Sequence, residues 1–150
     1  MYHFTENFNT TVAIILTLLY LYQLGYLLLG FACRKGKTNC APGKMHRFAA
    51  IISARNEENV IGSLIASLKA QNYPKELLDI YVIADNCTDR TAQIAASAGA
   101  FVYHRYNSHQ IGKGYALDFL FKRLAEEGKD DYDGYFVFDA DNYVDPDFVK

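Results

Sequence analysis

Tyr135-Phe136-Val137-Phe138-Asp139-Ala140-Asp141 is a short apolar run that ends in two carboxylates one residue apart. Such a run after a glycine, here Gly134, is typical of a buried strand. Side chains two positions apart in an extended segment point to the same side, so both carboxylates are expected to face one point. Paired carboxylates repel each other unless a cation compensates, and oxygen ligands favour Mg²⁺ or Mn²⁺. The alternative is a polar loop after a strand, with Asp145 capping a later helix.

The charge of the chain is distributed unevenly along its length. The 150 residues carry a net charge of −2 and suit one domain of ordinary size. Residues 32–47 contain five bases and no acid, whereas residues 48–150 contain 10 bases and 16 acids. An acidic soluble part argues against nucleic acid as a partner, because nucleic-acid binding requires a basic face.

A membrane-spanning segment is predicted near the N-terminus. Val12–Phe31 has no charged residue in 20 positions, and at about 1.5 Å per residue it spans the hydrocarbon core of a bilayer. The alternative, a cleaved signal peptide, lacks its basic n-region and a clear cleavage site. We therefore predict an extracytoplasmic N-terminus over 1–11, a transmembrane helix over 12–31 and a basic linker over 32–47. The positive-inside rule then places the rest of the chain in the cytoplasm, anchored in the lipid of the cell membrane.

Residues 48–150 show strand and helix patterns in alternation. Alternation of this kind predicts an α/β domain with a mostly parallel, Rossmann-like sheet and helices on both faces. The predicted strands cover 48–53, 78–84, 100–103 and the run that begins at Tyr135. The predicted helices begin at an Asn56 cap, at Thr91, at Lys113 and at an Asp145-Pro146 cap.

Polar residues follow three of the predicted strands. Right-handed crossovers bring the carboxyl ends of parallel strands to one edge of the sheet, where ligands bind. Arg55–Glu57, Asp85 and Asp139–Asp141 are therefore expected to share one crevice. An unrelated Rossmann-like enzyme is the weaker alternative, since the chain has no G-x-G-x-x-G sequence after the first strand and no Walker loop.

With these residues placed, the chain resembles family 2 glycosyltransferases of the GT-A fold over about residues 48–150. The resemblance rests on four spaced elements that stand in order. They are Ser53-Ala-Arg-Asn-Glu-Glu58, Val82-Ile-Ala-Asp-Asn-Cys-Thr-Asp-Arg-Thr91, Gly112-Lys-Gly-Tyr-Ala-Leu117 and Phe138-Asp-Ala-Asp141. Ser53 stands where the family commonly has proline, and Asn86 stands where it often has a second acid.

The resemblance implies a nucleotide-sugar donor, most often a UDP-sugar, and a divalent cation, Mg²⁺ or Mn²⁺. It implies that Glu57 and the Ala54–Arg55 backbone hold the uridine and that Asp85 hydrogen-bonds the uracil ring. Lys113 would lie near the ribose or the diphosphate. Asp139 would contact the ribose or a metal-bound water, and Asp141 would bind the metal. Each residue also has a plain structural reading, as a helix-dipole partner, a turn residue or a solvated charge.

The resemblance implies transfer of a hexosyl or N-acetylhexosaminyl group to a saccharide or lipid-linked acceptor. The general base of the family lies well downstream of the metal motif, so it is expected beyond Lys150, and the chain is expected to be the nucleotide-binding half of an enzyme. The alternative is a non-catalytic nucleotide-binding or assembly module, or an inactive fragment of such an enzyme.

Overall fold

A computed structural model describes residues 2–32 and 45–150, with side chains described over 5–30 and 45–150. These residues belong to two compact units, an N-terminal helix and an α/β domain that includes everything from Met45 onward. The basic linker predicted over 32–47 lies mostly outside the described residues.

The N-terminal unit is one helix, α1 (Tyr2–Ala32), which is longer than the predicted span. Thr5–Gly30 is long and apolar enough to cross a membrane by length and composition, a test that a signal sequence also passes. The hydroxyl groups of Thr10, Thr11 and Thr17 each donate to the carbonyl four residues earlier, at 2.8 Å. These bonds satisfy the hydroxyl donors within the helix itself.

The domain alternates strands and helices, as predicted. Its strands are β1 (Phe48–Ala54), β2 (Leu78–Asp85), β3 (Phe101–Arg105) and β4 (Gly134–Asp139). Its helices are α2 (Ile61–Lys69), α3 (Thr91–Ser97) and α4 (Lys113–Glu126), with a 3₁₀ turn at Lys75–Leu77.

All four strands are parallel, and they lie side by side in the order β3-β2-β1-β4. The chain therefore moves outward in one direction from β1 to β3 and then crosses to the other side of β1. The point where the direction reverses lies between β1 and β4. Ligands of open α/β sheets bind at such a reversal, outside the carboxyl ends of the strands.

Helices cover both faces of the sheet, which confirms the predicted fold class. The core on one face is formed by Ile61, Leu64, Ile65, Leu68 and Ala95 of α2 and α3 against the even-numbered residues of β1 and β2. On the other face, α4 packs Ala116, Leu120 and Leu124 against Ala49, Ile51, Tyr81 and Ile83. Because both of their faces are covered, β1 and β2 are continuous apolar runs.

Two predicted helix starts are wrong. Asn56 does not cap α2, which begins five residues later at Ile61 without a side-chain cap. Asp145 accepts a hydrogen bond from the backbone N–H of Asp147 at 2.9 Å, as a cap would, yet residues 146–149 form turns and no helix.

A polar network closes the amino edge of the sheet, opposite the predicted site. Arg47 binds Asp79 at 2.9 Å and lies over the ring of Tyr132, whose hydroxyl donates to Asp79 at 2.6 Å. Burial, followed by the hydrogen bonds to Asp79 and Tyr81, raises the pKa of Tyr132. The network fixes the point at which the chain enters β1.

Candidate functional site

The strand register brings the predicted polar residues to one edge of the sheet. Ala54 at the end of β1 pairs with Ala84, so Asp85 lies one position beyond on one side. Ser53 pairs with Asp139 on the other side. The predicted convergence of the residues after β1, β2 and β4 is therefore present in the structure.

The loops that follow β1 and β2 are hydrogen-bonded to each other. Asn56 has a left-handed backbone (φ 57°), and its Oδ1 accepts the backbone N–H of Thr88 at 2.8 Å. The backbone N–H of Glu57 donates to the hydroxyl of Thr91 at 2.8 Å. Asn56 thus turns the chain toward the neighbouring loop, and this role replaces the one expected from helix capping.

Asp89 is the acceptor at the centre of this loop contact. It accepts hydrogen bonds from the hydroxyl of Thr91 at 2.6 Å, from the backbone N–H of Thr91 at 3.0 Å and from that of Glu58 at 3.1 Å. Burial alone would raise the pKa of Asp89, but these hydrogen bonds outweigh it and lower the pKa. The ionised form of Asp89 therefore holds the two loops together.

The three residues predicted to hold the uridine differ in exposure. Ala54 is buried, and its carbonyl accepts a long contact from the thiol of Cys87 at 3.4 Å. Arg55 is exposed and takes part in no described ion pair. The backbone carbonyl of Glu57 stabilises the turn before α2 by accepting hydrogen bonds from the N–H groups of Val60 and Ile61. Its half-buried carboxylate makes no described hydrogen bond and is available to a ligand.

Asp85 is buried and already has a cationic partner. Its Oδ1 accepts from Nη1 of Arg105 at 2.7 Å and from Nδ2 of Asn86 at 3.0 Å. The side chains of Asp85 and Arg105 are only 6% and 5% exposed. A charged pair this deep is stable only with good geometry and further hydrogen bonds, and both are present here.

Further hydrogen bonds extend this pair into the loop between β3 and α4. Nη2 of Arg105 donates to the backbone carbonyl of Gln110 at 2.7 Å. Asn86, with a left-handed backbone (φ 53°), accepts the N–H of Asn107 at 2.9 Å and donates to the carbonyl of Asn107 at 3.1 Å. Asn86 replaces the second acid common in the family, and here it joins two loops.

Lys113 and Asp139 form an ion pair across the reversal point of the sheet. The Lys113 ammonium lies 2.6 Å from Oδ1 of Asp139, and the side chains are 42% and 66% exposed. Lys113 is the first residue of α4 and follows Gly112, whose φ of 130° is a conformation that favours glycine. Lys113 and Asp139 were predicted as site residues from separate sequence elements, and in the structure their side chains are in contact.

Asp141 does not lie in the strand. β4 ends at Asp139, and Asn142 folds back: its N–H donates to the Asp139 carbonyl at 3.1 Å, and its Oδ1 accepts the Asp139 N–H at 3.0 Å. The expectation that an extended segment aligns both carboxylates is therefore wrong, because a turn intervenes. Asp141 is exposed on this turn.

A divalent cation fits this donor set only in part. Among the described residues, no group of three or more His, Cys, Asp or Glu side chains lies close enough to hold a metal. Asp139 and Asp141 could supply two carboxylates, and hard cations complete their shell with water and substrate phosphates. Lys113 already contacts Asp139, so a cation bound there would share that carboxylate or displace the lysine.

Arg105 belongs to the site but was not predicted from the sequence. The predicted third strand ends at Tyr103, whereas β3 continues to Arg105, which pairs with Asp85 in the sheet register. The signal in the sequence was a single basic residue that closes a run rich in strand-forming residues, Phe101-Val-Tyr-His-Arg105.

The family model described as glycosyl transferase family 2 matches residues 49–150. The chain is similar to a 4,4'-diaponeurosporenoate glycosyltransferase of Staphylococcus haemolyticus, with 37% identity over 100 residues. A protein of the same name from Staphylococcus aureus strain USA300 is 48% identical over 52 residues. These matches cover 64% and 35% of this chain, but only 24% and 13% of the relatives' length.

Two solved structures show the same fold. TarS residues 1–349 from S. aureus has a TM-score of 0.53 and 24% identity, covering 67% of this chain and 29% of that one. The mannosyltransferase PcManGT from Pyrobaculum calidifontis, in complex with GDP-Man and Mn²⁺, has a TM-score of 0.60 and 20% identity. It covers 87% of this chain and 39% of that one. Because the family model accounts for more than two thirds of the sequence and the fold agrees, this chain belongs to glycosyl transferase family 2.

Proposed function

We propose that this chain forms the nucleotide-sugar-binding part of a membrane-anchored glycosyltransferase that uses a UDP-sugar. The observation that carries the proposal is the grouping of Asp85, the Lys113–Asp139 pair and Asp141 along one edge of the sheet. The Asp85 carboxylate, which can accept a hydrogen bond from the nucleobase, thus lies on the β2 side of β1. The charged groups suited to a diphosphate lie on the β4 side.

The nucleoside binds on the β2 side of the edge. Asp85 accepts a hydrogen bond from the imide N–H of uracil, since a carboxylate held by Arg105 offers only acceptor atoms. Arg55 and the free carboxylate of Glu57 lie on the next loop and contact the uridine. A structure of TarS with UDP-GlcNAc supports this choice of donor.

The diphosphate binds on the β4 side. The nucleoside diphosphate is the leaving group when the sugar passes to the acceptor, and the ammonium of Lys113 stabilises the negative charge that develops on the diphosphate as its bond to the sugar breaks. A divalent cation held by Asp139 and Asp141 would supply Lewis-acid stabilisation of the same leaving group. Lys113 moves from Asp139 to the phosphates as the donor enters, because the exposed pair is weak.

None of these residues is assigned a role in binding or activating the molecule that accepts the sugar. The curated relatives are named for a carboxylate acceptor, 4,4'-diaponeurosporenoate. The apolar helix Thr5–Gly30 supports an acceptor reached at the membrane, for which a saccharide and a lipid-linked molecule are the candidates. The five bases over 32–47 support a donor site on the cytoplasmic face.

Calorimetric titration of the detergent-solubilised chain with UDP-GlcNAc and UDP-glucose, with and without Mn²⁺, tests the proposal. Binding is expected to require Mn²⁺ for full affinity, and Asp141→Asn is expected to weaken binding in the presence of Mn²⁺ by deleting an anionic ligand. Asp131→Asn makes the same charge change before β4, at the opposite edge of the sheet, and serves as the control. Metal-dependent affinity that is equal in all three proteins would contradict the metal role.

A transfer assay with labelled UDP-sugars and a membrane extract tests where the catalytic base lies. Binding without transfer is expected, both for the donor-binding part of an enzyme and for a non-catalytic nucleotide-binding module. Appreciable metal-dependent transfer would show that a base lies among these residues and would contradict the placement of the catalytic machinery. Absence of binding to every UDP-sugar would contradict the donor site itself.

A further inference from the structure

Arg105 occupies a position in the candidate site that neither the sequence motifs nor the family match assigns. It lies at the carboxyl end of β3, is 5% exposed and contacts two separate parts of the site. We propose that Arg105 is a positioning residue that orients the Asp85 carboxylate toward the nucleobase and holds loop 106–112 in the arrangement that places Lys113. This inference rests on the proposed function as a UDP-sugar site.

The two oxygens of Asp85 have different surroundings. Oδ1 accepts both described hydrogen bonds, from Arg105 and from Asn86, and Oδ2 accepts none from the described residues. No fully buried side-chain oxygen or nitrogen among the described residues lacks a partner, so Oδ2 is in contact with solvent. Since the whole residue is 4% exposed, Oδ2 is the atom that Asp85 presents at the edge of the sheet.

A single exposed carboxylate oxygen distinguishes nucleobases by their hydrogen-bonding edge. Uracil presents N3–H, a donor, whereas N3 of cytosine is an acceptor that would face Oδ2 unfavourably. By fixing Oδ1, Arg105 prevents the carboxylate from rotating to accommodate the wrong base. Arg105 therefore determines specificity through Asp85 without touching the base itself.

The second contact of Arg105 reaches the diphosphate side. Nη2 donates to the Gln110 carbonyl at 2.7 Å, in the loop that ends at Gly112 and leads directly into Lys113. The guanidinium is a rigid planar fork, so the carboxylate and the loop are held in one geometry. A lysine at this position keeps the positive charge but cannot make both contacts in that geometry.

The experiment compares the full chain in detergent with Arg105→Lys and Arg105→Met. Titration with UDP and CDP measures the ratio of the two affinities, and amide hydrogen exchange measures the opening of residues 106–112. Arg123→Lys, an exposed arginine on α4 outside the site, is the matched control. Near-UV circular dichroism checks folding, and if Arg105→Met does not fold, Arg105→Lys decides the question.

For Arg105→Lys we expect UDP affinity to fall about tenfold, the loss of one charge-assisted hydrogen bond. The preference for UDP over CDP should shrink several-fold, and exchange in loop 106–112 should rise, with Arg123→Lys unchanged. A merely structural role would weaken UDP and CDP equally, and that result overturns the proposal. Failure of the unmutated chain to bind UDP would refute the donor assignment itself, and unchanged loop exchange in Arg105→Lys would refute the link to Lys113.

Discussion

Two ion pairs at the same edge of the sheet have nearly the same length and opposite surroundings. Asp85 and Arg105 are 2.7 Å apart with about 5% of each side chain exposed, and Lys113 and Asp139 are 2.6 Å apart with roughly half exposed. Burial, and not distance, separates their roles. The buried pair belongs to the fold, and the exposed pair can exchange partners with a ligand.

The energetics of the two pairs follow from desolvation. Removing one member of a buried pair leaves an uncompensated charge in a low-dielectric region, whereas water replaces a lost partner at the surface. Under the proposed function, the nucleobase side of the site is therefore formed before the donor binds. The proposed diphosphate side is held only by the exposed pair, in which a phosphate or a cation can replace one partner.

The largest effect is expected for Asp85→Ala. It leaves the Arg105 guanidinium buried with only the Gln110 carbonyl as a described partner, and such losses cost about 3–5 kcal/mol. At about 4 °C per kcal/mol for a domain of this size, the unfolding temperature of the detergent-solubilised chain should fall by about 12 °C or more. Near-UV circular dichroism, which reports the tyrosine-rich core, measures the transition.

Asp139→Ala is the matched control for that experiment, because it removes the carboxylate of the exposed pair in the same sheet. A similar fall in unfolding temperature for both variants would show that burial does not separate the two pairs. A double variant, Asp85→Ala with Arg105→Met, should recover part of the loss, since it also removes the stranded charge.

The second prediction concerns Asn86, which supports the buried pair from a left-handed backbone. Asn86→Ala loses the hydrogen bonds to Asp85 and Asn107 and must hold φ near 53°, at a cost of about 2–3 kcal/mol in unfolding free energy. Asn86→Gly loses the same bonds without the backbone penalty, so it should be less destabilising by about 1 kcal/mol. Equal stability of the two variants would contradict the backbone argument.

The alternation of strands and helices could be predicted because burial imposes a period on the sequence. β1 and β2 are apolar runs at the centre of the sheet, and α4 shows a helical period of apolar residues, so local pattern and final environment agree. The prediction that the run from Tyr135 is a buried strand is wrong, because β4 lies at the edge of the sheet and none of its residues is fully buried in the described structure. The position of Asp85 and Asp139 at the same edge of the sheet could also be predicted, since parallel strands joined by crossovers have their carboxyl ends at one edge.

The errors concern residues whose partners lie far along the chain. Asn56 was expected to cap a helix because capping is the local use of asparagine, yet its partner is Thr88, 32 residues away. Arg105 was not predicted as a site residue because its role depends on an ion pair with Asp85, which lies 20 residues earlier. Asp141 was placed in the strand because a hydrophobic pattern does not show where a turn such as Asp139–Asn142 ends it.

The third prediction is a pH effect at the contact between the loops after β1 and β2. The pKa of Asp89 is lowered in the fold below its ordinary value of 3.8, so its contribution to stability is present above pH 3.8. That contribution is lost as pH falls through the lowered pKa. Thermal unfolding of the chain and of Asp89→Asn should therefore differ near neutral pH and converge as the pH falls below 3.8 through the lowered pKa. A difference that stayed constant throughout this acid range would contradict the role of the ionised carboxylate.

The smallest effect on stability is expected at the exposed pair, for Lys113→Met. Exposed ion pairs contribute about 0–1 kcal/mol, and salt screens them, so the unfolding temperature should change by a few degrees at most and less at high ionic strength. The same substitution should weaken UDP binding clearly, because it removes the cation assigned to the diphosphate. Lys122→Met, which breaks the exposed pair with Asp118 on the same helix, controls for charge and should leave UDP affinity unchanged. A loss of stability at Lys113 as large as that of Asp85→Ala would mean that this pair holds the fold and is not free to exchange partners with a ligand.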